Sequence, residues 1–88
     1  MQWTISFDKY ALKALSKFDK KNQNRILQFL KVDLLALDNP RQLGKALTGK
    51  FKGMWRYRVG DYRIICEIVD NELVIVAVEI KHRSNVYK

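Results

Sequence analysis

The sequence predicts an α+β fold of order β-α-α-β-β-β, an antiparallel sheet packed against an N-terminal helical hairpin. Three observations carry this. Apolar residues alternate at the N-terminus, they recur every three or four positions between residues 20 and 37, and after residue 54 three apolar runs are separated by turn signals at Gly60-Asp61 and Asp70-Asn71. Eighty-eight residues suffice for one core, so a single domain over residues 1–88 is expected.

Trp3, Ile5 and Phe7 alternate with Gln2, Thr4 and Ser6, the period of a half-buried strand. Asp8 follows as a helix cap, and Phe7 and Leu12 are spaced as a hydrophobic staple. Leu12, Leu15 and Phe18 are expected on the inward face of that short helix. A second helix is predicted over 20–37, with Leu27, Leu30, Leu34 and Leu37 inward and Lys21, Asn24, Gln28 and Lys31 outward. Asp38, Asn39 and Pro40 stop it. Residues 43–53 combine Gly44, Gly49 and Gly53 with lysines and read as an irregular basic connection. Three strands follow, the first two joined by a type II′ turn at Gly60-Asp61. The first strand of the chain is expected to sit beside one of these later strands.

Composition narrows the class. Hydrophobic residues form 48% of the chain, with one Pro and four Gly, which excludes a disordered or low-complexity segment. Cys66 is alone in a strand-like run, so no internal disulfide forms; it reads as a core residue of a protein from a reducing compartment. The N-terminus lacks a basic start followed by an apolar stretch, and no apolar run is long enough to span a bilayer. A cytoplasmic protein with no membrane partner is therefore expected. The net charge of +8 instead points to a polyanion or an acidic protein. Six cations lie between Lys45 and Arg63 against the single Asp61, whereas residues 64–80 hold four carboxylates and neither Lys nor Arg. Positive charge flanks the apolar strands.

With Gly60 and Asp61 as loop residues, Val59 faces Tyr62, Arg58 faces Arg63 and Tyr57 faces Ile64. Opposed residues share a sheet face. Trp55, Tyr57, Val59, Tyr62, Ile64 and Cys66 are thus expected on the helix-covered side, and Arg56, Arg58 and Arg63 on the other. A two-residue turn at Asp70-Asn71 would set Val78 beside Arg63. Opposed arginines repel by a few tenths to about 1 kcal/mol unless an anion lies between them. A solvated basic face is the ordinary alternative for any one arginine; three together suggest a phosphate site.

The closing segment adds Lys81, His82, Arg83 and Tyr87, cations and a phenol suited to proton transfer or stacking. Zinc-type Cys/His spacing, a carboxylate pair for Mg²⁺, a phosphate-binding Gly-Lys-Ser/Thr loop and a dinucleotide fingerprint are all missing. Catalysis without a metal or cofactor is the expectation. Attack of an RNA 2′-hydroxyl on its neighbouring phosphate fits, because the substrate supplies the nucleophile.

The segment from Leu47 to Lys50 leading into Trp55-Arg56-Tyr57-Arg58-Val59, the Gly60-Asp61-Tyr62-Arg63 hairpin and the closing His82-Arg83-Ser84-Asn85-Val86-Tyr87 together resemble the RelE toxins of the RelE/ParE toxin-antitoxin superfamily. The resemblance spans essentially the whole chain. It implies a small RelE-like α+β domain, cleavage of mRNA in the ribosomal A site and neutralisation by an acidic, RelB-like antitoxin in a hetero-oligomer. Residue by residue, it implies that Arg56 and Arg58 hold the phosphate, and Lys50 and Lys52 of the preceding basic loop are expected as further phosphate-binding residues. Arg63 would neutralise the phosphorane, Tyr87 would take the 2′-hydroxyl proton, and Lys81, His82 or Arg83 would protonate the leaving 5′-oxygen. Lys81 stands where an arginine is familiar and lacks its planar fork. The resemblance leaves two alternatives open: a ParE-like inhibitor of DNA gyrase, and a non-catalytic RNA-binding module.

Overall fold

The computed structural model describes residues 2–86. Strand β1 (Thr4–Phe7) leads into helices α1 (Lys9–Ser16) and α2 (Lys20–Gln28), the latter extended by a π turn at Phe29–Asp33. A 3-10 turn (Pro40–Leu43) precedes β2 (Lys45–Ala46), and a second (Gly49–Phe51) precedes β3 (Trp55–Val59). β4 (Tyr62–Val69), a third 3-10 turn (Asp70–Glu72), β5 (Val74–His82) and the short α3 (Arg83–Val86) complete the chain. The five strands form one sheet in the order β1-β5-β4-β3-β2. No helix among the described residues is long and apolar enough to cross a membrane.

Both helix starts are capped as short polar side chains dictate: Asp8 accepts from the Ala11 N–H at 2.9 Å, and Asp19 from that of Asn22 at 3.0 Å. The inward stripes differ from expectation. Ala11 and Leu15 are buried on α1, while Leu12 is 51% exposed and off the inward stripe; one residue on from Ala11, it is rotated about 100° away from it around the helix. On the second helix the buried stripe is Ile26, Leu30 and Leu34. Leu27 and Leu37 are only half-buried. Four-residue spacing overshoots a regular helix by about 40° per step. The wider π turn, with Leu34 N–H donating to Phe29 O at 2.8 Å, absorbs that overshoot and keeps Leu34 over the sheet.

β1 pairs with β5 in parallel, Thr4 opposite Val74, so the sheet is mixed rather than wholly antiparallel. The connection at 43–53 contains the two-residue β2, which adds an edge strand with Lys45 opposite Arg56; two residues are too few to show a period. The β3–β4 hairpin has the expected register, and Gly60 takes the positive φ of +58° that a type II′ turn requires of its first loop residue. The next hairpin does not. Its connection runs through four residues, Asp70 to Leu73, and a bulge lies between Ile65 and Cys66, so Arg63 stands opposite Lys81 instead of Val78.

One face of the sheet carries the core. Tyr57, Ile64, Cys66, Ile75, Ala77 and Ile80 pack against Ala11, Leu15, Ile26, Leu30 and Leu34, with Trp55, Val59 and Tyr62 at the margin. Two further ties fasten the loop before β2. The buried Tyr57 hydroxyl donates to Pro40 O at 2.7 Å, and Arg41 makes a bidentate contact with Asp70 at 3.0 and 2.7 Å. Among the described residues, the opposite face of the sheet lies away from the core helices α1 and α2.

Candidate functional site

Strand alternation delivers the cations to that opposite face. Arg56 and Arg58 flank the inward Tyr57, Arg63 sits between Tyr62 and Ile64, and Lys81 lies between Ile80 and His82. Two rows run across the strands: Arg58, Arg63 and Lys81 in one, and Lys45, Arg56, Ile65 and Glu79 in the other. Ile65 is on this face yet 0% exposed. Long cationic side chains such as those beside it on this face can cover apolar ground with their stems.

A cleft of about 360 Å³ opens here, lined by Arg56, Arg58, Gly60, Asp61, Tyr62, Arg63 and Arg83. Arg83 arrives because its backbone N–H donates to Asp61 O at 2.6 Å, which ties the start of α3 to the hairpin turn. The Nε atoms of Arg56 and Arg63 are shut off from solvent and have no hydrogen-bond partner among the described residues. Such orphaned donors are uncommon, because each costs ~1–3 kcal/mol. The stems are thus packed down, leaving the outer nitrogens to carry the charge into the cleft. Convergent guanidinium forks of this kind match the oxygens of a phosphate.

The remaining candidates fall in different places. Lys81 stands next to Arg63 in its row but outside the cleft wall, with its Nζ 3.2 Å from Glu79 Oε1. His82 points to the helix side of the sheet, edge-on to Tyr62 with ring centroids 5.1 Å apart. Its Nδ1 accepts the Ser84 N–H at 3.1 Å and lies 2.8 Å from Ser84 Oγ. Lys50 and Lys52 are exposed around the turn at Gly49–Phe51 and do not line the cleft. Tyr87 lies outside the described residues. Sequence reasoning missed Lys45 as a member of the second row; its only signal is the cluster of basic residues after Gly44.

Fold and site together define a small basic α+β protein with an arginine-lined cleft on one side of its sheet. Within that class, the chain belongs to the ParE toxin family of type II toxin-antitoxin systems, parDE, whose family model matches residues 5–87. It is 27% identical to the toxin RelG of Mycobacterium tuberculosis over 88 residues, covering 100% of this chain and 99% of that one. Among solved structures, it is similar to a chain of the toxin-antitoxin complex RelBE2 from the same organism, with a TM-score of 0.86 and 26% identity over 96% of this chain and 94% of the other. The archaeal RelE-RelB complex from Pyrococcus horikoshii gives 0.70 and 29%, covering 94% and 97%.

Proposed function

We propose that this type II toxin is a ribosome-dependent mRNA endoribonuclease that inhibits translation in the cytoplasm. The observation that carries the reading is the row Arg58, Arg63 and Lys81 beside a cleft walled by Arg56 and Arg83, a concentration of charge on one face. Attack of a 2′-hydroxyl on the adjacent phosphorus forms a new P–O bond and expels the 5′-oxygen, leaving a 2′,3′-cyclic phosphate and a 5′-hydroxyl. The 2′ proton leaves to a base, and a second proton reaches the departing oxygen. In this reaction Arg56 and Arg58 hold the phosphate, Arg63 neutralises the growing charge on the phosphorane, and Tyr87 is the base.

Arg83 lines the cleft and Lys81 adjoins Arg63, which favours these two as the acid over His82 on the far side of the sheet. Lys50 and Lys52, outside the cleft, would meet phosphates further along the RNA. The ribosome supplies substrate orientation, since the cleft offers cations rather than a base-reading pocket. The partner in the cell is an acidic antitoxin, a reading supported by the RelE-RelB complexes among the structural neighbours.

Mapping of mRNA 5′ ends in a bacterial translation extract tests the proposal. Cuts confined to A-site codons, and lost with Tyr87→Phe, are expected. Intact mRNA would overturn it, and accumulation of gyrase-linked DNA breaks would transfer the assignment to the gyrase inhibition associated with ParE.

A further inference from the structure

Another cation reaches the β3–β4 turn, at the edge of the cleft, from the other layer of the molecule. Arg25 lies in the last turn of α2, exposed, on a helix whose buried stripe faces the sheet. Its guanidinium extends over the sheet margin to the β3–β4 turn. A Cβ built on Gly60 would lie 2.7 Å from Arg25 Nη2 and 3.0 Å from both Cζ and Nη1. Gly60 is itself part of the cleft wall. Glycine is favoured there for its φ of +58°, and its lack of a Cβ leaves room for this guanidinium, the movable end of a long side chain. Among the described residues Arg25 makes no ion pair and no side-chain hydrogen bond, so none of them neutralises it by direct contact.

We propose that Arg25 is a phosphate-binding residue that extends the cleft around the hairpin tip, holding an RNA backbone phosphate next to the one held by Arg56, Arg58 and Arg63. The proposal rests on the reading of the cleft as an RNA site. The nucleic-acid strand leaves the cleft face of the sheet at Gly60 and turns toward the helical layer, with Arg25 as its first contact there. The contact is to the backbone and independent of base identity.

The test is binding of a short single-stranded 2′-O-methyl RNA, which cannot undergo 2′-hydroxyl attack, across a series of salt concentrations. Loss of one phosphate contact on a single strand lowers the slope of log affinity against log salt by about 0.7. Arg25→Ala is expected to show that drop, and Lys31→Ala, which removes an exposed cation further along the same helical stretch, is expected to keep the full slope. An unchanged slope in Arg25→Ala, whether or not its melting temperature falls, overturns the proposal. If Arg63→Ala lowers the slope while Arg25→Ala does not, only this inference fails; if neither does, or the protein does not bind the RNA, the RNA reading of the cleft fails with it. A drop in slope together with intact mRNA in translation extracts would sustain Arg25 as a backbone contact and remove the nuclease assignment alone.

Discussion

The Tyr57 hydroxyl donates to the Pro40 carbonyl at 2.7 Å, buried beneath the helices, while its strand neighbours Arg56 and Arg58 project from the other side of the sheet. One hydrogen bond on the core side therefore anchors the strand that carries the arginine pair. Burial also pushes the Tyr57 phenol well above the ordinary tyrosine range, so it stays a donor at any working pH. Tyr57→Phe strands the Pro40 carbonyl without removing the ring, and a loss of ~1 kcal/mol in urea denaturation is expected.

Arg63→Ala separates function from stability. It removes the central cation of the row but no core volume, and it relieves the opposition to Arg58 and Lys81. Cleavage is expected to fall by about one order of magnitude or more, the usual scale for a lost charge-stabilising donor. Stability should stay level or rise by a few tenths of a kcal/mol. Single-turnover cleavage and thermal melting on the same preparation check both; a protein that melts earlier would mean that Arg63 supports the fold.

The Arg41–Asp70 pair makes a pH-dependent contribution. Hydrogen bonding from Arg41 holds the Asp70 carboxyl below its ordinary range. A lowered folded value means that the stabilisation is present above the unfolded pKa of about 4 and disappears as pH falls through the folded one. The melting temperature of the parent protein should exceed that of Asp70→Asn at neutral pH, and the difference should close as pH falls below the unfolded carboxyl pKa of about 4 and through the lowered folded one. High salt should shrink it, because the pair is exposed. A gap that persists in acid would mean that the Asp70→Asn substitution disturbs the turn itself.

Cys66 gives the opposite sign. Burial pushes its thiol up to about 12, against an unfolded value of about 8.5. The folded chain keeps the proton longer, so stability is whole below the unfolded value and falls as pH climbs from about 8.5 toward 12. Relative to Cys66→Ala, the parent should lose up to ~1.4 kcal/mol per pH unit across that window. Alkylation of the native protein should proceed only through opening; fast labelling at neutral pH would refute its burial.

The legible parts of this molecule are those where a local rule fixes the geometry. Gly60-Asp61 sets a turn, the turn sets the register, and the register alone places Arg58 against Arg63 and assigns both faces of β3 and β4. Where two devices combine, the sequence is ambiguous. A four-residue connection plus a bulge moves the β5 register by three positions, from Val78 to Lys81 opposite Arg63, and turns His82 away. The Ile26 stripe needed the π turn to be recognised, since on a regular helix Leu27 continues toward Leu30 and Leu34 equally well. Arg83 enters the cleft through a backbone hydrogen bond to Asp61, and Arg25 reaches the turn at Gly60 across layers; neither leaves a periodic trace.

The parallel pairing of Thr4 with Val74 sets an order of events during synthesis. A ribosome making this chain must add seventy residues after Thr4 before the first strand has its partner to join. The same final strand supplies Lys81 to the row begun by Arg58 and Arg63, and the segment just beyond it delivers Arg83. Closing so distant a contact is slow compared with forming the helices. The nascent polypeptide therefore holds an unassembled arginine cleft for most of its translation, and a protein proposed to cut messages on ribosomes with Tyr87 as base becomes competent only after its own message has been read through residue 87.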